Sequence, residues 1–194
     1  MRPSIGLFCS ASDRLPESAR SLAAELGRLC AERGIRLVYG GSARGLMGIA
    51  ARAAHAAGGE VLGFMVEALS VREHADATIG TLHHVATLDD RKRAFAECAD
   101  AFVALPGGIG TLDEITEMLT LDDIGAQAKP MILCDSDGFW DPFFAMLESF
   151  GAYGVLRPAL QHDLLRAHGA EQAMAHFARL VPLEPASGVL GIVR

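Results

Sequence analysis

Short apolar runs recur along the chain at 5–9, 35–39, 61–65, 81–85, 101–105 and 131–134, and the stretches between them space their apolar residues as helices do. The runs are rich in Val, Ile, Leu and Phe and show little strict alternation, which suits strands buried on both faces. Helical spacing appears at 15–33, 46–57, 91–99, 112–124 and 140–150. In the first of these, Leu15, Ala19, Leu22, Leu26 and Leu29 fall at three- and four-residue steps, and Gly34 marks its end. Strand and helix therefore alternate, which predicts crossover units, a mainly parallel sheet and helices on both faces: an α/β three-layer sandwich. With 194 residues and no low-complexity block, residues 1–180 are expected to form one domain. The remaining 181–194, with Pro182, Pro185 and Gly188, are expected to form a loosely packed tail.

In open parallel sheets, ligands gather at the carboxyl ends of the strands. Two glycine-rich segments fall there, each after an apolar run and opening a helix. The first is Gly40-Gly41-Ser42-Ala43-Arg44-Gly45, and the second is Pro106-Gly107-Gly108-Ile109-Gly110-Thr111. Glycine lets the backbone turn sharply and lets a ligand approach the amides. A helix N-terminus adds unpaired N–H groups and partial positive charge, which together favour a phosphate. Thr111 is expected to cap the helix or to give its hydroxyl to the same phosphate. Tight turns that bind nothing use the same residues, but two such loops in equivalent positions favour an anion site. Neither matches a Walker A loop, since no Lys-Ser or Lys-Thr follows the last glycine, and neither fits GxGxxG well. A phosphate is expected, without NTPase or NAD chemistry.

The charge balance narrows the partners. Acids outnumber bases 24 to 17, for a formal net charge of −7, which disfavours a nucleic-acid or anionic-membrane partner. No uncharged stretch approaches the ~18 residues of a membrane span, and the N-terminal apolar stretch is too short for a signal peptide. Cys9, Cys30, Cys98 and Cys134 are scattered, as expected for reduced core thiols in the cytoplasm. No His, Cys and Asp cluster offers a metal site.

A dense charged segment, Asp89-Asp90-Arg91-Lys92-Arg93, opens the helix before the fifth strand. Bases there oppose the macrodipole. Either this is a solvated end with the aspartates as caps, or Arg91 or Lys92 turns toward an anion at the strand ends. Glu114 falls in the first turn after the second glycine loop. It is there as a helix-starting acid or as a carboxylate placed against the sugar of a bound nucleotide.

On these residues the chain resembles the LOG (Lonely Guy) family, the cytokinin riboside 5'-monophosphate phosphoribohydrolases often labelled lysine decarboxylases. The family's PGGxGTxxE signature is present in full at 106–114. Its GGGxxGLMG segment appears at 40–48 with Ser42 in place of one glycine, and its Arg-Lys pair matches Arg91-Lys92. The resemblance runs in unbroken register from Ile5 to about Val155. It implies a Rossmann-like domain that forms a homodimer or a larger assembly. It further implies hydrolysis of the N-glycosidic bond of a cytokinin riboside 5'-monophosphate or AMP, yielding free base and ribose 5-phosphate without a cofactor or metal. Carried onto this chain, Arg91 and Glu114 are the implied catalytic pair. The substrate-binding positions implied by the two loops are Gly40, Gly41, Ser42, Gly107, Gly108, Ile109, Gly110 and Thr111. Glu73, Lys92 and Thr120 match positions that contact substrate in relatives.

The chemistry fits these residues independently. Glycosidic cleavage builds positive charge on the sugar ring, which a carboxylate near C1' stabilises, or it activates the attacking water. Arginine stays protonated, so Arg91 suits orientation rather than acid catalysis. A decarboxylase using pyridoxal phosphate needs a lysine Schiff base, and Lys92 and Lys129 are the only lysines. Departures from the family fall at Cys9-Ser10-Ala11-Ser12, Met65-Val66 and Leu88-Asp89, around the expected base and ribose pocket. Ser42 is tolerable only where the backbone is not left-handed. The alternative reading is a non-catalytic nucleotide or molybdenum-cofactor carrier on the same fold. Met118, Leu119, Leu121, Ile124, Phe143, Phe144 and Met146 supply apolar surface either to the core or to a dimer interface.

Overall fold

The computed structural model describes residues 2–70, 74–126, 129–157 and 164–181. Its centre is a seven-stranded, all-parallel sheet in the order β4-β3-β2-β1-β5-β6-β7. The strands are β1 Ser4–Phe8, β2 Arg36–Tyr39, β3 Val61–Val66, β4 Thr81–Val85, β5 Ala101–Ala104, β6 Met131–Cys134 and β7 Leu164–Ala167. The six apolar runs are the first six strands, displaced by no more than a residue at either end. Six α-helices are described: α1 Glu17–Glu32, α2 Gly45–Ala56, α3 Leu88–Cys98, α4 Ile109–Asp123, α5 Asp141–Ala152 and α6 Ala170–Leu180.

Both faces of the sheet are covered, so neighbouring residues of one strand serve different cores. Ile5 and Leu7 of β1 pack with Leu22, Leu26, Leu46, Met174 and Phe177, on the side of α1, α2 and α6. Phe8, between Leu7 and Cys9, packs with Phe95, Ile115, Trp140 and Phe143, on the side of α3, α4 and α5. Phe8 also stacks on Phe102 at 5.0 Å and 12°. This three-layer arrangement is the expected fold class.

Local stops are written in the sequence. At the end of α1, Gly34 adopts φ +67, Gly34 N–H donates to Ala31 O and Ile35 N–H to Cys30 O. Glycine accepts that left-handed turn without a steric cost, and the two bonds satisfy carbonyls that the helix end would strand. The same pair of bonds closes α4 at Gly125. Lys129 Nζ donates to Ala96 O and Ala99 O, which places a cation on the carbonyls at the carboxyl end of α3.

Two expectations change at helix starts. The cap of α3 is Thr87, not an aspartate: its Oγ1 accepts from Asp90 N–H at 3.0 Å, and the Asp90 carboxylate accepts from the hydroxyl at 2.7 Å. The N-cap of α4 is Gly108, which places Thr111 inside the first turn rather than at the cap. Strand β7 and helix α6 were not anticipated. β7 is four residues long, sits at the sheet edge and includes Arg166, so its apolar signal is weak. Helix α6 buries Ala170, Ala173, Met174 and Phe177, a three-four spacing that was legible. The expected tail beyond Val181 lies outside the described residues.

Candidate active site

Strand β1 lies between β2 and β5, and the winding of the sheet reverses there. Such a switch point opens a crevice at the carboxyl ends of the strands. Here a cleft of about 240 Å³ is lined by Cys9, Ser10, Ala11, Met47, Arg91, Gly108, Gly110, Thr111 and Glu114. Residues 9–11 follow β1, Met47 belongs to α2, Arg91 to α3, and the rest to the start of α4.

Arg91 and Glu114 meet across the α3–α4 boundary. Arg91 Nη2 donates to Glu114 Oε1 at 3.0 Å, and the two side chains are only 10% and 6% exposed. A charged pair this buried is costly to build in a chain that needs only packing. Cys9 shares the same ground: burial, and secondly the Glu114 charge, push its thiol well above the ordinary value. The thiol is therefore neutral and not a nucleophile.

The two glycine loops, similar in sequence, are used differently. At the first, Gly45 N–H donates to Asp13 Oδ1 at 3.0 Å and Leu46 N–H to Ser10 O at 2.9 Å, while Ala43 N–H donates to His74 O. Arg44 N–H donates to Ser42 Oγ, and the Arg44 guanidinium pairs with Asp13. The donors of this helix start are spent on the protein. A Cβ on Gly48 would lie 2.0 Å from Ala43 O, so the loop folds tightly onto α2. At the second loop no side chain caps α4, and a Cβ at Gly108 or Gly110 would meet nothing within 4 Å. That helix start faces open space in the cleft, where amides and the helix dipole suit an anion. Thr111 is buried beneath it, against Gly107.

The predicted site residues thus divide. Arg91, Glu114, Gly108, Gly110 and Thr111 come together in the cleft. Gly107 adjoins Thr111, and Ile109, 82% exposed, projects from the loop's tip. Gly40 borders the cleft through Met47 and Arg91, whereas Gly41 packs on Met65 and Leu82. Ser42 is fully buried and bridges Ala75. The left-handed positions of this loop are Gly41 and Gly45, so Ser42 occupies a place that a side chain tolerates. Lys92 turns to carboxylates of α3 and α4 instead of the cleft. Thr120 lies on the outer face of α4, its hydroxyl donating to Thr116 O at 2.7 Å. Glu73 lies outside the described residues. Met47 was missing from the predicted site, whereas Cys9, Ser10 and Ala11, expected around the base and ribose pocket though not named as binding residues, line the cleft. Among the described residues no group of three or more His, Cys, Asp or Glu is placed to hold a metal, and no helix is long and apolar enough to cross a membrane.

Comparison with known proteins gives a consistent picture. Residues 47–177 match the family described as "Possible lysine decarboxylase". The cytokinin riboside 5'-monophosphate phosphoribohydrolase LOG of Oryza sativa subsp. japonica is 35% identical over 92% of this chain and 74% of its own. LOG7 of Arabidopsis thaliana, of the same description, is 35% identical over 92% of this chain and 82% of its own. Among solved structures, the molybdenum cofactor binding protein from Rippkaea orientalis superposes with a TM-score of 0.71 at 22% identity. It covers 92% of this chain and 97% of that one, a likeness of fold.

Proposed function

The chain belongs to the LOG family, and from that premise we propose that it hydrolyses the N-glycosidic bond of a nucleoside 5'-monophosphate, a cytokinin riboside 5'-monophosphate or AMP. The observation that carries this reading is the buried Arg91–Glu114 pair beside an uncapped helix start. In this reading the 5'-phosphate rests on the amides of 108–111, which sets the ribose against Glu114. As the C1'–N bond breaks, its electrons leave with the base and positive charge develops on the sugar ring. The Glu114 carboxylate stabilises that charge or takes a proton from the attacking water. Water then supplies the new C1' oxygen, and the proton it gives up ends on the departing base, which is released neutral. Arg91 holds Glu114 in place and remains protonated throughout.

Decarboxylase chemistry has less support. Lys92 is engaged by carboxylates and Lys129 by backbone carbonyls, which leaves neither ammonium toward the cleft. A carrier of a phosphorylated cofactor needs the anion cradle but has no use for a buried carboxylate against the sugar.

A homodimer forms part of the proposal. The outer faces of α4 and α5 carry a groove of about 200 Å³ lined by Leu119, Thr120, Phe143, Met146, Phe150 and Leu156, among others. Ile124, Tyr153 and Val155 are 67%, 86% and 73% exposed nearby. An apolar surface of this kind favours burial against a second copy. Thr120 would then act at the interface. The free thiols support a cytoplasmic setting.

Incubation with AMP and with N6-isopentenyl-AMP, assayed for ribose 5-phosphate, tests the reaction. Release from either supports hydrolysis. Tight binding with no release from either supports the carrier. Sedimentation tests the dimer.

A further inference from the structure

The wall of the cleft that follows β1 is stitched to both glycine loops. Ser10 N–H donates to Pro106 O at 3.2 Å, where the second loop begins, and Ser10 O accepts from Leu46 N–H at 2.9 Å, in the first turn of α2. A Cβ on Gly45 would lie 2.5 Å from the Ala11 carbonyl carbon and 2.6 Å from Ser10 O, so this wall packs directly on the start of α2. Asp13 adds the bond from Gly45 N–H and the ion pair with Arg44. Ser10 is thereby fixed between the anion cradle and α2.

Both backbone groups of Ser10 are spent on the protein, so its hydroxyl is what it has left to offer a ligand. Ser10 Oγ accepts from Ser12 N–H at 3.0 Å, which sets the position of the oxygen. A hydroxyl carries one proton and two lone pairs. The bond from Ser12 uses one lone pair, and among the described residues no acceptor takes the proton. Ser10 is half-buried and lines the cleft. Its neighbours on the same wall offer less: the Cys9 thiol is buried and stays protonated, and Ala11 presents a methyl group.

The other polar side chains of the cleft are already engaged. Arg91 and Glu114 hold each other at 3.0 Å, and Thr111 is buried beneath the cradle. A ribose carries two neighbouring hydroxyls, and each loses water as the sugar enters. A polar group buried without a partner costs free energy, so these hydroxyls need a partner in the cleft. With the phosphate on 108–111 and C1' against Glu114, the neutral side chain left to meet them is Ser10. Like a sugar hydroxyl, it both donates and accepts.

We propose that Ser10 Oγ binds a ribose hydroxyl of the nucleotide and so makes the site select ribonucleotides over their deoxy counterparts. The inference rests on the hydrolase reading and adds to it a residue that determines specificity. A deoxy sugar leaves the Ser10 proton without an acceptor in the filled cleft, and a site built to hydrogen-bond a substrate hydroxyl rejects the analogue that lacks it.

Values of kcat/KM for AMP, 2'-deoxy-AMP and 3'-deoxy-AMP, measured for the wild type, Ser10→Ala and Ser10→Gly, test this. The deoxy sugars also differ from ribose in intrinsic reactivity, so the quantity read is the AMP-to-deoxy ratio in each protein. The intrinsic part cancels when the ratios of two proteins are compared. For at least one deoxy substrate, the ratio should fall about threefold to tenfold from the wild type to either variant, the worth of a neutral hydrogen bond. Thermal melts taken in parallel show that the variants are folded. Ratios that do not move overturn the inference. If all three substrates lose alike, the hydroxyl serves the phosphate; if none loses, it serves no part of the nucleotide. Wild-type protein that binds AMP without cleaving it defeats the hydrolase reading and not the role of Ser10, which is then read from the same ratios of dissociation constants. Wild-type protein that does not bind AMP defeats both.

Discussion

Arg91 Nη2 stands 3.0 Å from Glu114 Oε1, and both side chains are at least nine-tenths buried at the mouth of α4. The pair joins two helices that flank β5 and puts a carboxylate one turn from an open helix start.

Glu114→Gln keeps the shape and loses the charge. Cleavage should fall by about 10²- to 10⁴-fold, as expected for loss of a general base or a charge stabiliser. Nucleotide affinity should remain within about tenfold, because the amides of 108–111 are untouched. Turnover near that of the wild type would remove Glu114 from the reaction.

Arg91→Met removes the guanidinium that pairs with the buried Glu114 carboxylate. Removing one member of a buried pair costs about 3–5 kcal/mol, and the lower end applies here because the cleft admits water. Denaturant unfolding should therefore show a marked loss for Arg91→Met. The double variant with Glu114→Gln should recover part of it. Equal losses in the single and the double variants would mean that the ion pair does not carry the effect.

Gly108→Ala and Gly48→Ala should part company. A methyl group at Gly108 meets nothing within 4 Å, so the fold should be unaffected while KM rises as the methyl enters the anion's approach. At Gly48 it would lie 2.0 Å from Ala43 O, and unfolding should become easier by about 1–3 kcal/mol. Thermal melts and KM values for the two variants check the contrast. An unchanged KM in Gly108→Ala would move the phosphate elsewhere.

Alkaline pH should weaken the fold. Burial raises Cys30 and Cys134 to about 12 and Tyr39 to about 12, and it raises Cys9 as well. Each group holds its proton more tightly folded than unfolded. Below about pH 8 both states are protonated and nothing changes. Above about pH 9 the unfolded chain ionises first, so stability falls by up to about 1.4 kcal/mol per thiol for each further unit until the folded value is reached. Urea midpoints taken from about pH 8 to 11 should decline, and a flat profile would contradict the buried placement of these thiols.

How far the sequence led can be judged at particular residues. The runs that became β1, β2, β3, β5 and β6 were legible because buried parallel strands are largely apolar, whereas β4, an exposed edge strand with His83 and His84, carries a weaker signal; Gly34 marked a helix end because its backbone is left-handed. β7 escaped notice because an edge strand of four residues containing Arg166 carries little apolar signal. At the site, Arg91 and Glu114 were legible as a charge near a glycine loop and an acid after it. The direction of Lys92 was not, since consecutive helical residues diverge by about 100° and only the packing of α3 on α4 decides which one enters the cleft. The two glycine loops looked alike because glycine spacing records a tight turn. What separates them is Asp13 and Ser10, residues distant in sequence that consume the amides of one loop and leave the other open.

Cleavage of AMP in ¹⁸O-labelled water, with the products resolved by mass, tests the central claim most directly. The account predicts unlabelled free adenine and ribose 5-phosphate carrying one ¹⁸O at C1', both lost in Glu114→Gln. Label in inorganic phosphate with release of adenosine, or bound AMP that is recovered intact, would contradict it.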